Sequence, residues 1–217
     1  MIKKDLSNCS TLEEFYSSII KLYDDAHTID GVKYSIYYDA IAATAKECNS
    51  YRECGVQQGG SVAAAALSGV SYIQVIDVSL GLFKDIAHLF KKYNKDLKLE
   101  MHESSSVPGT TQWKNRTWPG ASDDVMNLNR VDITFLDAIH TYEYVSRELS
   151  LHAPTTDKYI FIHDTYQQRA NSKSPYKIDR QLHMAALDYI KDHPEWVVDE
   201  YCEASVGYTK LKRVSYD

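Results

Sequence analysis

The chain has 217 residues, 44% hydrophobic and 25% charged, proportions that exclude a disordered, collagen-like or coiled-coil protein. Lys and Arg number 24 against 30 Asp and Glu, a formal charge of -6, whereas a protein that tracks phosphates carries a basic surface, so nucleic acid is not expected as a partner. No apolar run reaches the roughly 18 residues of a membrane span, and the polar, acidic first twenty residues lack the apolar stretch of an export signal, so a cytoplasmic protein without a membrane partner is expected.

The length predicts one domain, with a helical segment over 1–49 on the substrate side of a core over 50–217. Residues 11–24 place Leu12, Phe15, Ile19 and Ile20 near a helical repeat, with Thr11 and Glu14 spaced as a capping box. A second helical pattern over about 35–49 leads to an apolar strand over 51–56, which stops at the turn-prone residues 57–60. Helix over 61–67, strand over 72–78, helix over 82–93 and strand over 97–102 follow. Residues 104–120 are polar and rich in turn formers, and read as a long loop of the kind that often carries function. A strand over 131–137, a helix over 142–152 and a strand over 158–163 come next, then a second polar loop over 165–179. A helix over 180–192 ends at Pro194, and strands over 196–201 and 208–214 are spaced as a hairpin.

Strands separated by helices need right-handed crossovers, which build a mostly parallel sheet of seven strands with helices on both faces, here closed by an antiparallel C-terminal hairpin. Ligands of such α/β sheets sit at the carboxyl ends of strands near the point where strand order reverses. The first strand ends in Glu53-Cys54-Gly55-Val56-Gln57-Gln58-Gly59-Gly60-Ser61. That glycine turn opens a helix and lets a ligand approach the backbone. Gln57 stands where a second glycine would complete GxGxxG, no phosphate-loop Lys follows, and a plain strand-to-helix turn is the structural alternative. The second strand closes on Asp77-Val78, about 20 residues later, the spacing at which an acid reaches the two hydroxyls of a ribose.

Together these segments resemble the class I S-adenosylmethionine-dependent methyltransferases over about residues 50–213. The resemblance implies a Rossmann-like core that binds S-adenosyl-L-methionine. It places Glu53 and Gly55, with Gln57, Gly59 and Ser61 of the same turn, along the methionine part. Asp77 and Val78 fall at the ribose, and Glu103 and Ser104 at the adenine.

The fourth and fifth strands end in Asp137-Ala138-Ile139-His140-Thr141-Tyr142-Glu143 and His163-Asp164-Thr165. Two acids and two imidazoles then project into one crevice beside the cofactor, a donor set for a divalent cation, Mg2+ by its carboxylates or Mn2+ with its histidines. The structural alternative makes His140 a helix cap and packs His163 under a loop. The pair of motifs resembles the metal-dependent sugar O-methyltransferases of the macrocin and mycinamicin type and the related cephalosporin-hydroxylase-like group. That resemblance implies Asp137, His163 and Asp164 as metal ligands, His140 as general base, and Asp137 shared between the reaction and the cofactor.

The expected substrate is a small molecule or glycan with a free hydroxyl. The two long loops, with Tyr34, Tyr37 and Tyr38 among the 17 Tyr, would shape its pocket, because aromatic faces suit sugar rings. A hydroxylase-like oxidoreductase or a lyase on the same strand ends stays open as an alternative. So does a non-catalytic cofactor-binding protein, which would have no use for His140 beside Asp164. A homo-oligomer is equally open. Cys9, Cys48, Cys54 and Cys202 show no CxxC pair and predict free thiols. His27, His88, His102, His152, His183 and His193 are expected to be structural or surface residues, and Lys91, Lys92 and Lys95 a solvated helix end.

Overall fold

Leu12, Phe15 and Ile19 recur at helical spacing and are buried. The Thr11 hydroxyl accepts from the Glu14 amide at 3.2 Å, and the Glu14 carboxylate accepts from the Ser10 amide at 2.8 Å, so two amides at the start of α1 (Leu12–His27) are satisfied. The computed structural model describes residues 6–28, 31–113, 116–171 and 174–214. α2 (Ile36–Ala45) follows, and from there strand and helix alternate through β1 (Ser50–Cys54), α3 (Gly60–Leu67), β2 (Tyr72–Asp77), α4 (Gly81–Tyr93) and β3 (Lys98–Glu103). The chain continues through β4 (Thr111–Trp113), β5 (Arg116–Trp118), α5 (Asp123–Met126), β6 (Val131–Leu136), α6 (Tyr142–His152) and β7 (Thr156–His163). It ends with β8 (Gln167–Asn171), β9 (Ser174–Asp179), α7 (Gln181–Asp192), β10 (Trp196–Cys202) and β11 (Tyr208–Arg213).

Seven strands form one sheet in the order β10-β11-β7-β6-β1-β2-β3. β7, β6, β1, β2 and β3 are mutually parallel, and β11 runs antiparallel between β7 and β10. This is the expected Rossmann-like architecture. Phe15, Ile41, Phe83 and Phe90 from α1, α2 and α4 pack with Val75 and Phe135 in one apolar cluster. Leu149 and Ala185 from α6 and α7 pack with Ile160, Ile162 and Trp196 in a second. Burying both faces explains why these strands read as continuous apolar runs.

The two expected loops are not irregular throughout. β4 pairs with β5 from Thr111↔Trp118 to Trp113↔Arg116, and β8 pairs with β9. A two-stranded ribbon needs only backbone pairing, so periodicity along its strands gave no sign of it. β1 also ends earlier than expected, at Cys54, because Gly55 and Gln57 turn left-handed, at φ 88° and 48°. The cysteines are free thiols, and no helix among the described residues is long and apolar enough to cross a membrane.

Strand order reverses between β1 and β6, and their ends approach closely. The Gly55 amide donates to the Ile76 carbonyl at 2.9 Å and the Asp137 amide to the Cys54 carbonyl at 2.8 Å. A Cβ on Gly55 would lie 2.3 Å from the Asp137 carbonyl oxygen and 2.7 Å from Ala138 Cα. Gly55→Ala should therefore cost about 3 kcal/mol from overpacking and the left-handed backbone. That corresponds to a melting temperature lower by roughly 6–12 °C for a chain of this size. An unchanged melting curve would contradict the close approach.

Candidate active site

A cavity of about 340 Å³ opens where β1 and β6 diverge. Gly55, Gln57, Asp77 and Val78 line one side and Ser104, Ser106 and Trp118 one end. Asp137, His140, His163 and Tyr34 line the side where strands β6 and β7 leave the sheet.

On the first side, the Asp77 carboxylate already holds the glycine turn. Its Oδ2 accepts from the amides of Val56 and Gln57 at 2.8 and 3.1 Å, and its Oδ1 from Ser79 at 2.9 Å. Gln57 takes the left-handed conformation that a glycine would favour, and its side-chain oxygen accepts from the Tyr23 hydroxyl at 2.6 Å.

Glu53, Ser61, Gly59 and Glu103 lie outside the cavity lining. Glu53 is buried beneath the turn, with the Tyr51 and Ser61 hydroxyls each 2.6 Å from its carboxyl oxygens. Gly59 faces the Phe83 ring. Glu103 is half-exposed and pairs with Lys84 at 2.5 Å. The Ser104 hydroxyl accepts from the Ser122 amide.

On the opposite side, four groups meet. His140 Nε2 is 2.9 Å from Asp137 Oδ1, and its Nδ1 is 2.6 Å from Asp164 Oδ2. His163 Nδ1 is 2.9 Å from Asp137 Oδ1 and 3.3 Å from Asp164 Oδ1. Local structure explains the placement. Thr141, not His140, caps α6, its hydroxyl accepting from the Tyr144 amide at 3.3 Å, so the ring of His140 is free to turn back over the end of β6. Asp164 follows β7 in the left-handed region, at φ 56°. His163 is buried with its ring against Tyr37, Tyr34 and Phe135.

Burial alone would lower the His140 pKa. Hydrogen bonds to both aspartates and their charges overcome it and push it up to about 11, so the ring carries both protons in this arrangement. Burial would raise the carboxyls, but the His163 charge and the hydrogen bonds from the imidazoles hold Asp137 and Asp164 below the usual carboxylate range. Burial, reinforced by the charges of Asp137 and Asp164, pushes the Tyr34 phenol up, which removes it as a base near neutral pH.

Ligand atoms of Asp137, His140 and His163 lie within 4.8 Å of one another, and Asp164 adjoins them. Two carboxylates with imidazole nitrogen fit a divalent cation, and the nitrogen donors suit Mn2+ better than the oxygen-seeking Mg2+.

Tyr34 lines the cavity, as expected for the acceptor side, and stacks on Tyr23 with ring centroids 5.3 Å apart. Tyr37 and Tyr38 do not line it. Both are buried: Tyr37 packs on Phe135 and His163 at the sheet, and Tyr38 packs on Tyr16 of α1 and against Gly60 at the start of α3. The loop over 104–120 reaches the cavity through Ser104, Ser106 and Trp118. The side chains of 167–179, and of His27, fall outside the described residues. Ser106 and Trp118 belong to the loop expected at the pocket, though neither was singled out, whereas Ile76, Ala138, Ile139 and Tyr144 were not expected as lining residues. The one available signal was on α6, whose apolar stripe carries Glu148 and His152, polar residues where the helical period calls for apolar ones.

The mostly parallel sheet, its reversal at β1, and a carboxylate-bearing cavity at that point make a ligand site of the Rossmann-like α/β class. Residues 51–214 match the rhamnosyl O-methyltransferase/CmcI family, and the chain belongs to that family. No curated protein matches the sequence. Among solved structures, the O-methyltransferase from Bacillus cereus in complex with S-adenosylhomocysteine is 13% identical, with 99% of this chain and 93% of that chain covered and a TM-score of 0.60. The S-adenosylhomocysteine-bound methyltransferase PaMTH1 of Podospora anserina is 14% identical, with 95% and 89% covered and a TM-score of 0.62. The O-methyltransferase TomG from Streptomyces achromogenes, in complex with S-adenosylmethionine, is 12% identical, with 99% and 92% covered and a TM-score of 0.55.

Burial pushes the Glu53 carboxyl from 4.5 up to about 8, against the hydrogen bonds from Ser61 and Tyr51 that favour its charged form. Such an acid binds its proton more tightly when folded. Its stabilising share is full below about pH 4.5 and is lost as pH rises to about 8. Stability should therefore fall across that window, and Glu53→Gln should make the fall shallower; Glu148 adds to the fall over the same range and His140 adds to it above pH 6.5, while His152 opposes it below that. Urea midpoints measured at both ends of the window check this. Parallel curves for the two proteins would contradict the assignment.

Proposed function

We propose that the protein transfers the methyl group of S-adenosylmethionine to a hydroxyl of a sugar or similar polyol-bearing substrate. One observation carries this reading: a single cavity joins the Gly55 turn and Asp77 to Asp137, His140 and His163. The rhamnosyl name of the family supports a sugar acceptor, as does the Tyr34 ring at the cavity wall, a flat apolar face with a hydroxyl at its tip.

The cofactor's methionine part lies along the turn from Gly55 to Gln57, where the missing Cβ permits close approach. Its ribose hydroxyls donate to the Asp77 carboxylate, which retains lone pairs beyond those used by three backbone amides. Its methyl group faces Asp137 and His140. The acceptor hydroxyl lies between His140 and Tyr34. His140 takes the hydroxyl proton as the oxygen–methyl bond forms and the sulfur–methyl bond breaks.

In the structure both nitrogens face aspartates and the ring is protonated, so that work requires acceptor binding to displace one aspartate, leaving a neutral ring with one nitrogen bonded to the other aspartate and its second nitrogen facing the acceptor. Asp137 and Asp164 then stabilise the imidazolium that results, as an acid does behind a catalytic histidine. Asp137, His163 and Asp164 would hold a divalent cation, which when bound supplies positive charge that lowers the pKa of a nearby hydroxyl. Holding acceptor and methyl group in line contributes much of the remaining rate.

Asp77→Asn keeps one oxygen for Val56 and Gln57 but loses the charged acceptor. It should raise the dissociation constant for S-adenosylhomocysteine at least tenfold, since a hydrogen bond to a charged group is worth roughly 1.5–3 kcal/mol. Unchanged affinity in titration calorimetry would reject the ribose assignment. His140→Ala should lower methyl transfer from labelled cofactor by roughly 10²- to 10⁴-fold while cofactor affinity stays within a few-fold. A variant with near-normal turnover would remove His140 from the reaction.

A further inference from the structure

Glu148 and His152, the two polar residues on the buried stripe of α6, converge on Ser106, one at its hydroxyl and the other at its carbonyl. Arg52 faces the His152 ring at Nδ1, 3.4 Å away, so Nδ1 is the acceptor and Nε2–H donates to the Ser106 carbonyl at 2.8 Å. Burial and then the Arg52 charge push the His152 pKa down to about 3, which agrees with a neutral ring. Glu148 Oε1 lies 2.5 Å from the Ser106 hydroxyl, and that hydroxyl lies 3.0 Å from the hydroxyl of Tyr144. Glu148 Oε2 has no hydrogen-bond partner, which costs the carbonyl oxygen of a neutral acid far less than a carboxylate oxygen. Burial pushes this carboxyl up to about 8, in the same direction.

A neutral Glu148 turns the chain into a line of donors. Its proton sits between Oε1 and Ser106, the Ser106 hydrogen goes to the Tyr144 oxygen, and Tyr144 keeps its own hydrogen to give. Within the protein its acceptor is the Ser105 hydroxyl at 3.3 Å, beyond the usual range for two hydroxyls. Ser106 and Tyr144 both line the cavity, at the end away from the four-group cluster and beside Ser104 and Trp118.

We propose that Glu148 is a positioning residue that aims the Tyr144 hydroxyl hydrogen into this end of the cavity, where ring nitrogen N1 of adenine receives it, so that the site selects a 6-aminopurine cofactor over its 6-oxo analogue. The inference rests on the cofactor reading given under the proposed function. With the ribose on Asp77, the purine extends toward Ser104 and Ser106. Its edge farthest from the sugar carries N1 and the 6-amino group and reaches Ser106 and Tyr144. Adenine N1 is an acceptor. In the 6-oxo analogue N1 carries a hydrogen, which would face the Tyr144 donor and leave both groups unpaired in a buried site, and that mismatch weakens binding.

Titration calorimetry of S-adenosylhomocysteine and S-inosylhomocysteine on the full chain tests this. The unmodified protein should prefer the adenosyl ligand by roughly tenfold or more. Tyr144→Phe and Glu148→Leu should lose most of that preference. Glu148→Gln, whose amide nitrogen donates to Ser106 in place of the carboxyl, should retain it, an outcome that a merely space-filling role for Glu148 does not require. Should Glu148→Leu fail to fold, as melting curves would reveal, Tyr144→Phe and Glu148→Gln carry the test. Equal binding of the two ligands by the unmodified protein, a preference that survives Tyr144→Phe, or a preference lost in Glu148→Gln would overturn the inference and leave methyl transfer standing. Failure of the unmodified protein to bind S-adenosylhomocysteine would overturn the methyl-transfer reading, and this inference with it.

Discussion

Asp137 and Asp164 leave adjacent strands of one sheet and lie mostly withdrawn from water, so each needs opposite charge or donated hydrogen bonds within reach. His140 and His163 supply both, at 2.6–3.3 Å. Much of the surrounding structure serves that requirement. The Thr141 cap frees the ring of His140 from the start of α6, and the rings of Tyr34, Tyr37 and Phe135 wedge His163 against the sheet. Gly55 lets the end of β1 pass against the Asp137 backbone. One electrostatic constraint thus ties the N-terminal helices to the glycine turn and to two strand ends.

The same arrangement divides the cavity by chemistry. The end near β6 and β7 is ionic, with two acids and two imidazoles. The end near α6 is lined by hydroxyls, whose donors and acceptors are set by a buried acid and a buried neutral imidazole. Between them lie the backbone amides of the turn, gathered on Asp77. A sulfonium cofactor has matching parts: a charged reacting centre, a ribose with two donors, and a flat base with a fixed hydrogen-bonding edge.

The sheet was legible in the sequence because crossover connections and doubly buried strands leave apolar runs between helical repeats, as at 72–78 and 131–137. The ionic end of the cavity was legible for a related reason. Asp137, His140, His163 and Asp164 each stand at or just past the end of an apolar run, where side chains leave the core. Other positions were opaque. Strand alternation did not reveal that Glu53 faces Tyr51 and Ser61 beneath the turn, because both faces of β1 are buried and the outcome depends on how α3 packs. Glu103, expected just past the third strand, closes β3 and meets Lys84 from α4, a partner that sequence spacing does not disclose. The hydroxyl end depends on Ser106, Tyr144 and Glu148, up to 42 residues apart in the chain, and only the misplaced polarity of α6 hinted at it.

In this reading one cavity binds the cofactor in a single orientation, from the hydroxyl end to the ionic end. A crystal structure of the protein with S-adenosylhomocysteine tests it most directly. The ribose should lie on Asp77, the purine edge against Ser106 and Tyr144, and the sulfur should be directed at Asp137 and His140. A cofactor bound outside this cavity, or bound within it with its sulfur pointing away from His140, would rule out methyl transfer at the Asp137–His140 end.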